Sequence, residues 1–474
     1  MLFSSNVFVY LFLPAVLIGY YFIHLLGKIF RFDPRRVKNG FLLAASLVFY
    51  AYGGGKLVFL LIFTVLFNYV MALIMGENPK KYQLVITIVV DIGLLVWFKY
   101  LDFLISGISA VASLITGGGI ADPFEILLPI GISFYMFQAL SYVIDVYRKD
   151  VPVQKNFFKV MLYISFFPQL IAGPIVRYTE VRDAMDSRKE SFSDVYRGIC
   201  RFAIGLGKKV LIADVMGHSV DMIFALDAKS LSAPLAWVGI LLYTLQIFYD
   251  FSGYSDMAIG MAKMFGFSFR ENFLQPYTSH NITEFWGRWH VSLSSFLKDY
   301  LYIPLGGNRK GEKKTYVNLL IVFILCGLWH GAAWTFVAWG LYHGILRMAE
   351  RLLKTKFRFE LKGIWGQAIT FILVLIGWVF FRSADFRQAF DYLGAMFGAG
   401  TGEALSYYTL GYYADTLTIV AGAAGLVLAV VPFNRIRKKL TGGVLYGIAS
   451  LAILVLALIF LSDASFNPFI YFRF

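Results

Sequence analysis

The sequence predicts an all-α membrane protein that crosses the bilayer many times. Hydrophobic residues make up 59% of the 474 residues and charged residues 15%, and the mean hydropathy is +0.68. Soluble globular domains carry about 25% charged residues. The apolar runs are continuous and do not alternate with polar residues, which indicates helices and excludes the pattern of a transmembrane β-barrel.

Ten apolar runs predict the transmembrane helices in chain order. A helix needs about 20 residues to cross the hydrocarbon core. The runs cover residues 6–26, 39–54, 57–76, 83–98, 126–147, 198–224, 232–250, 364–381, 413–432 and 442–462. We expect about ten to eleven transmembrane helices. Because no repeat and no Pro-, Gly- and Ser-rich linker divides them, we also expect a single domain over 1–474.

The formal net charge of +14 suggests either nucleic-acid binding or a membrane topology. The lysines and arginines fall in short loops between apolar runs, as the positive-inside rule requires, so we expect no nucleic-acid partner. Basic loops follow the first, third and fifth runs, whereas the loop at 53–55 is nearly uncharged. We therefore expect the amino terminus outside. No lysine or arginine precedes the first run, so we expect that run to be an uncleaved span.

Residues 316–346 predict a re-entrant hairpin. Basic residues flank the segment on both sides: Arg309, Lys310, Lys313 and Lys314 before it, and Arg347, Arg351, Lys354 and Lys356 after it. Two cytoplasmic flanks would require two crossings, which need about 40 residues, and the segment is too short. We expect its turn, at Trp329, His330 and Gly331, to lie at membrane depth, where irregular backbone occurs only inside protein or beside a cavity.

A second interrupted segment occupies residues 157–175. Pro168 and Pro174 break a stretch that is otherwise apolar and again has basic flanks, so we expect a second partial crossing. The glycine-rich stretch at 115–123 predicts an outer loop. The two cysteines, Cys200 and Cys326, lie in separate apolar segments, so we expect them to pack in the interior and to form neither a disulfide nor a metal site.

The stretch at 281–300 predicts one amphipathic helix, with Asn281 as its N-cap and Glu284 three residues later. On that helix His290 would share a side with Trp286 and Ser294, which lie four residues before and after it. Its imidazole would then face the apolar edge. Two roles remain open for His290, a packing contact or a place in the reaction path.

His330 is the stronger candidate for chemistry. A polar side chain at the membrane centre costs several kcal/mol unless it is hydrogen-bonded, so either a structural hydrogen bond or a functional role must compensate for it. An imidazole suits a general base because its pKa lies near working pH. No Gly-x-Ser-x-Gly motif occurs, and neither cysteine is suitably placed beside a histidine, so a covalent nucleophile has no support. His343 lies on the return arm of the hairpin, and the sequence does not assign it a role.

The loop at 302–310 is a candidate for binding a phosphate-bearing ligand. Gly306 and Gly307 permit close backbone approach, and Arg309 and Lys310 supply cationic donors. The alternative is an ordinary juxtamembrane turn, in which glycines followed by basic residues are common.

Several motifs together resemble the membrane-bound O-acyltransferase family. They are FSGYSDMAIG at 251–260, Glu271-Asn272-Phe273, Pro276-Tyr277, Glu284-Phe285-Trp286, RWHVSLS at 288–294 and Leu328-Trp329-His330-Gly331. The sequence is most similar to the bacterial branch typified by the alginate O-acetyltransferase AlgI, and more distantly to the teichoic acid D-alanyl transferase DltB. The discriminating motifs occupy a core segment within 251–346. Gly287 departs from the family pattern, in which many members have a basic residue at this position.

The resemblance implies a ring of transmembrane helices around a thinned centre, with an outer funnel and an inner entrance for the acyl donor. It implies that His330 is the family's essential histidine and His290 its second histidine. Members of this branch, in the bacterial inner membrane, pass an acetyl group across the membrane to an extracellular or periplasmic polysaccharide such as alginate. They often act with a periplasmic or surface acyltransferase of the SGNH type and with polysaccharide export machinery.

The sequence therefore predicts a membrane-bound O-acyltransferase that uses cytosolic acetyl-CoA as its donor substrate. We expect His330 to be the general base and His290 to orient the acyl group or stabilise the oxyanion. The residues expected to contact substrate are Arg288, Lys298, Arg309, Ser294 and Trp329. Thioester chemistry implies neither a metal nor a bound cofactor. The alternatives are a transporter or flippase of a lipid-linked or acyl carrier without chemistry, and a scaffold in which neither histidine matters.

Overall fold

The computed structural model describes residues 1–116, 126–431 and 443–463, and all regular secondary structure in these ranges is helical. Six helical segments within them are long and apolar enough to cross a membrane. They are Val7–Ile29, Arg35–Met75, Lys81–Ile115, Ala233–Met264, Gly363–Arg382 and Val444–Ser462, and Thr416–Val430 is a shorter apolar helix. The all-α, multi-pass membrane class is confirmed. The count of ten to eleven spans and the ring stay predictions, and the outer loop predicted at 115–123 lies outside the described residues from 117 onward.

The chain divides into two compact units. One comprises Met1–Val195 with Met261–Phe269, and the other comprises Tyr196–Gly260 with Arg270–Phe474. The expectation of a single domain over 1–474 stays a prediction.

The helices of the first unit include the interrupted segment that the sequence predicts. They are α1 (Leu13–Ile29), α2 (Arg35–Gly54), α3 (Val58–Met75), α4 (Lys81–Leu95), α5 (Leu101–Thr116), α6 (Ile132–Arg148), α7 (Phe157–Ser165), α8 (Phe167–Leu170) and α9 (Tyr178–Ser187). The break between α7 and α8 is confirmed: Phe166 has extended backbone and Pro168 lies in the first turn of α8. The backbone N–H of Phe167 donates to Ser46 Oγ at 3.1 Å, which satisfies a group that the break exposes.

A buried ion-pair cluster lies in the first unit. The Glu190 carboxylate accepts hydrogen bonds from Lys38 Nζ at 2.6 Å and from the Tyr20 hydroxyl at 2.5 Å. The Lys38 side chain is 1% exposed, so its charge depends on this partner. Burial favours the protonated form of Glu190, but the hydrogen bonds from Lys38 and Tyr20 outweigh burial and hold its pKa below the ordinary value.

The second unit contains the motif-rich core. Its helices are α10 (Phe192–Gly207), α11 (Asp214–Phe224), α12 (Ala233–Met264), α13 (Ile282–Arg288), α14 (Val291–Leu297), α15 (Glu312–His330), α16 (Trp334–Phe357), α17 (Gly363–Arg382), α18 (Phe386–Met396), α19 (Ala404–Tyr407), α20 (Leu410–Tyr413), α21 (Thr416–Val430) and α22 (Val444–Asp463). Of these, α10 begins and α12 ends in the first unit. The apolar run at 198–224 lies within one continuous helical stretch, in which a π-helical segment, Lys208–Ala213, joins α10 to α11.

Glycines bring α10 and α12 into backbone contact. A Cβ atom on Gly205 would lie 2.6 Å from the carbonyl oxygen of Gly253, and one on Gly253 would lie 2.7 Å from the carbonyl oxygen of Gly205. Such contacts leave no room for side chains and are typical of closely packed membrane helices. The close packing lies within the FSGYSDMAIG motif, and α12 continues through that motif, well past the end of the predicted apolar run at 250.

The predicted hairpin is present as the pair α15 and α16, but its arms extend beyond the predicted bounds 316–346, and its re-entrant path stays a prediction. α15 ends at His330 and α16 begins at Trp334, so His330 is the last helical residue and the turn starts at Gly331. A Cβ atom on Gly327 would lie 2.2 Å from the carbonyl oxygen of Phe336, and one on Gly340 would lie 2.3 Å from that of Phe323. The two arms therefore touch backbone to backbone. The depth of the turn in the membrane stays a prediction.

The expectation of one helix over 281–300 is wrong. The segment forms α13 and α14, which are separated at Trp289 and His290, and His290 has a positive φ of 43°. A non-glycine residue in this left-handed region cannot continue a helix. The N-cap prediction is confirmed, because Asn281 Oδ1 accepts the backbone N–H of Glu284 at 2.8 Å.

Candidate active site

His290 is held by a buried hydrogen-bond network that joins three of the sequence motifs. Its Nδ1 lies 3.1 Å from Asn272 Oδ1, and the same oxygen accepts Ser292 N at 3.2 Å and Ser292 Oγ at 2.9 Å. Asn272 Nδ2 donates to Ser255 Oγ at 3.0 Å. Both His290 and Asn272 are fully buried.

This network assigns the tautomer of His290. An amide oxygen can only accept, so Nδ1 carries the proton, and in a neutral imidazole Nε2 is then the acceptor. Nε2 is buried and meets no hydrogen-bond partner among the described residues. The break between α13 and α14 decides this orientation. The relation to Trp286 and Ser294 expected from helical spacing does not hold, because the left-handed residue turns the ring towards Asn272.

His330 lies at the carboxyl end of α15 among aromatic rings. Its ring centroid is 5.0 Å from that of Trp329, 5.1 Å from that of Trp339 and 5.2 Å from that of Phe381. The side chain is 3% exposed. The carboxyl end of α15 therefore places an ionisable group among three aromatic rings.

Trp329 connects the two predicted catalytic histidines. Its ring centroid lies 5.8 Å from that of His290 and 5.0 Å from that of His330. Three residues that the sequence predicts to be functional, on two separate segments, are thus brought together. His330 is the last residue of α15 and His290 directly precedes α14. The two helix ends therefore place two imidazoles in one buried region.

A third histidine, His343, belongs to the same aromatic cluster. It is fully buried on α16, and its ring centroid lies 5.1 Å from that of Trp339 and 5.2 Å from that of Trp286. Neither of its ring nitrogens has a hydrogen-bond partner within the described ranges. The sequence left its role open. The available signal was spacing, because Trp339 and His343 lie four residues apart and so share a face of α16.

A cavity of about 780 Å³ opens beside this cluster. Its inner lining includes Trp286, Val291, Phe323 and Cys326. Cys326 lies four residues before His330 on α15, so His330 is one helical turn further along the same face. His290, Trp329 and His330 do not themselves line the cavity, whose nearest lining residues in the chain are Val291, next to His290, and Cys326.

The outer part of the cavity is basic. Its charged lining residues are Lys298, Arg347, Glu350, Arg351, Lys354 and Glu360. Both acidic groups are engaged: Glu350 accepts Thr283 N at 2.9 Å and lies 3.6 Å from Arg347, and Glu360 pairs with Lys354. Lys298 and Arg351 form no ion pair with any carboxylate in the part of the chain that the structure describes.

Of the five predicted substrate-binding residues, Lys298 and Ser294 line the cavity. Trp329 lies between the two histidines and is not among the lining residues. Arg288 and Arg309 are not among the cavity's lining residues: Arg288 donates to Thr278 Oγ1 at 2.5 Å and to Glu284, and Arg309 is exposed on the loop.

The sequence did not identify Arg347 and Arg351 as site residues. Their signal was the spacing of the basic flank after the hairpin, which places 347, 351 and 354 on one face of α16.

The loop after α14 has the predicted glycine geometry. Gly306 and Gly307 have positive φ angles of 107° and 55°. Asn318 Nδ2 donates to the carbonyl oxygen of Gly307 at 3.0 Å, which fixes the loop against α15. Its role in phosphate binding stays a prediction. Within residues 1–116, 126–431 and 443–463, no group of three or more His, Cys, Asp or Glu side chains is placed to hold a metal ion.

Comparisons with known proteins give the family. Residues 151–384 match the model of the membrane-bound O-acyltransferase family. A probable alginate O-acetylase, AlgI, of Pseudomonas aeruginosa is 44% identical over 411 residues, which cover 85% of this chain and 76% of that protein. The peptidoglycan O-acetyltransferase of Helicobacter pylori is 37% identical over 84% of this chain and 80% of its own length. The teichoic acid D-alanyltransferase of Bacillus subtilis is 28% identical over 56% of this chain and 71% of its own length.

The matched region contains His290, His330, the aromatic rings around them and the cavity with its basic outer part. The family is one of enzymes, which removes the support for the transporter and scaffold alternatives. The chain is therefore a member of the membrane-bound O-acyltransferase family, a multi-pass membrane O-acyltransferase.

Proposed function

We propose that this enzyme takes an acetyl group from cytosolic acetyl-CoA and passes it across a bacterial inner membrane for O-acetylation of an extracellular polysaccharide such as alginate. The names of two relatives, an alginate O-acetylase and a peptidoglycan O-acetyltransferase, support an acetyl group and a polysaccharide acceptor. The observation that carries the proposal is the joining of His290 and His330 through Trp329 beside a cavity with a basic outer part.

The donor occupies the cavity in this proposal. Lys298 and Arg351 bind the phosphates of CoA, because their charges are not already matched by carboxylates, and arginine suits phosphate through paired N–H donors. Arg347 adds a third cation, held by Glu350. The pantetheine arm then passes between the apolar inner residues towards His330. The positive-inside rule supports a cytosolic mouth, because these basic residues flank the hairpin.

His330 is the general base in this mechanism. It removes the proton from an acceptor hydroxyl as the hydroxyl oxygen attacks the thioester carbonyl carbon. The carbon–sulfur bond then breaks, and His330 returns the proton to the departing CoA thiolate. The surrounding rings exclude water, which protects the thioester from hydrolysis.

In this mechanism His290 orients the acceptor hydroxyl and does not stabilise the oxyanion. With its Nδ1–H committed to Asn272, a neutral His290 offers an acceptor nitrogen and has no free N–H for an oxyanion. The acceptor hydroxyl belongs either to the polysaccharide or to a serine of a separate periplasmic acyltransferase of the SGNH type, working with polysaccharide export machinery.

The test is release of free CoA by purified protein supplied with acetyl-CoA and candidate acceptors. We expect His330→Ala to lower the rate at least 100-fold while the protein still elutes as a folded species, because a general base contributes about 100- to 10,000-fold. His24→Ala is the matched control, since His24 lies in the first unit, where its Nδ1 is 3.3 Å from Lys38 Nζ. Wild-type rates in His330→Ala would contradict the proposal.

A further inference from the structure

Three aromatic side chains, Trp329, Trp339 and Phe381, pack closely around the imidazole of His330, and we call them the aromatic shell. The rings of Trp329, Trp339 and Phe381 stand at 79°, 89° and 72° to the imidazole plane, with centroids no more than 5.2 Å away. At these angles and separations the rings pack edge to face against the histidine. Any acyl group that reaches His330 must share this space.

The shell rings also brace one another. Phe381 on α17 has its centroid 5.1 Å from that of Trp339 and 4.9 Å from that of Phe336, and the Phe381 side chain is 1% exposed. Trp339 is fully buried and stacks against Trp378 at 5.8 Å. Protein interiors resist the opening of new space because every displaced ring loses contacts on several sides. The shell is therefore stiff and not easily widened by a ligand.

We propose that Phe381, supported by Trp339, is a size filter that restricts the transferred acyl group to about two or three carbons. The inference rests on the proposed function, because it takes His330 as the place where the thioester reacts. An acetyl group adds one methyl beyond the carbonyl carbon. Each further methylene has to displace a ring from the shell, and one methylene in a tight apolar site changes kcat/KM by roughly 10- to 200-fold.

Phe380 is a matched control on the same helix. It immediately precedes Phe381 in the chain, but its ring centroid lies 6.3 Å from that of Tyr342 and 5.9 Å from that of Phe390. Adjacent positions on a helix point in different directions, so truncation of Phe380 leaves the shell intact. The pair separates loss of a phenyl ring in general from loss of the ring beside His330.

The experiment compares CoA release from acetyl-, butyryl- and hexanoyl-CoA by wild-type, Phe381→Ala, Phe381→Leu and Phe380→Ala proteins. We expect wild-type kcat/KM to favour acetyl-CoA over hexanoyl-CoA by at least 100-fold. Phe381→Ala lowers that ratio at least tenfold by increasing use of the longer donors, and Phe380→Ala leaves it unchanged. Because truncation of a buried phenylalanine is destabilising, Phe381→Leu provides a milder change with the same direction.

Binding of unreactive donor analogues gives a second readout. S-ethyl-CoA and S-hexyl-CoA cannot transfer an acyl group, and wild type should bind the ethyl compound more tightly, with the preference reduced at least tenfold in Phe381→Ala. If wild type shows this Phe381-dependent preference but releases no CoA from acetyl-CoA, the size filter stands and the transfer mechanism fails. Equal use of hexanoyl- and acetyl-CoA by wild type, or an unchanged chain-length preference in both Phe381 variants, overturns the filter.

Discussion

Replacement of Asn272 by leucine tests how the site holds His290. Asn272 is fully buried, and its side-chain amide makes hydrogen bonds with His290, Ser292 and Ser255. The structure gives four such contacts, counting both the backbone and hydroxyl donors of Ser292. At about 1 kcal/mol each, their loss lowers the free energy of unfolding by about 4 kcal/mol.

The same change should reduce activity more than stability alone explains. Without an acceptor beside Nδ1, the imidazole of His290 is free to rotate and to change tautomer. Loss of a tautomer-fixing partner of a catalytic histidine lowers kcat by about 10,000-fold in a well-studied case. We expect Asn272→Leu to lower kcat by at least about 100-fold, because His290 here orients the acceptor and is not the base.

Asn272→Asp is the matched variant, because it keeps an oxygen acceptor at the same position. Ser255 can then donate to the carboxylate, so the network survives with one bond reversed. The assay is CoA release from acetyl-CoA, together with the melting temperature in detergent. Wild-type kcat and melting temperature in Asn272→Leu would refute the reasoning. An Asn272→Asp protein as inactive as Asn272→Leu would show that the acceptor oxygen is not what the site requires.

Three further predictions concern the donor cavity, the helix crossing and the buried carboxylate. Arg351→Gln should raise the KM for acetyl-CoA about tenfold with kcat unchanged, because a charge-assisted bond to phosphate is lost. Arg309→Gln should leave the KM unchanged, and equal effects of the two variants in steady-state kinetics would contradict the placement of the donor. Gly205→Ala should lower the melting temperature, because its Cβ would meet a carbonyl oxygen at 2.6 Å, whereas Gly287→Ala, with no heavy atom within 4 Å, should not. Because the pKa of Glu190 is lowered in the folded protein, its stabilising effect is present above the ordinary value near 4.5 and is lost as pH falls further, so Glu190→Gln should reduce the loss of melting temperature below that pH.

The sequence predicted much of the site because the signal was local. The hairpin arms and the break at Pro168 follow from apolar runs, charge flanks and backbone-restricted residues, whereas the turn starts at Gly331, two residues later than predicted. The helix over 281–300 was predicted wrongly for a local reason as well. Its apolar spacing suits a helix throughout, and nothing in the spacing announces that His290 adopts a left-handed conformation to reach Asn272.

The donor-binding residues show a different limit. Arg288 and Arg309 lie in basic segments near the motifs, which is why the sequence favoured them. In the structure Arg288 donates hydrogen bonds to Glu284 and Thr278. The arginines that line the cavity are Arg347 and Arg351. A basic residue can mark topology or bind a ligand, and only its partners in space distinguish these roles.

By itself, the sequence determined that this is a helical membrane protein with one histidine near the turn of a hairpin and another in a motif some 40 residues earlier, because hydropathy and charge act over short stretches of chain. Only the tertiary structure decided that Trp329 stands between the two histidines, that His343 joins them, and that Phe381 closes the shell. Those contacts depend on how α15, α16 and α17 pack, and packing is set by complementary shapes across distant segments, which no local pattern encodes.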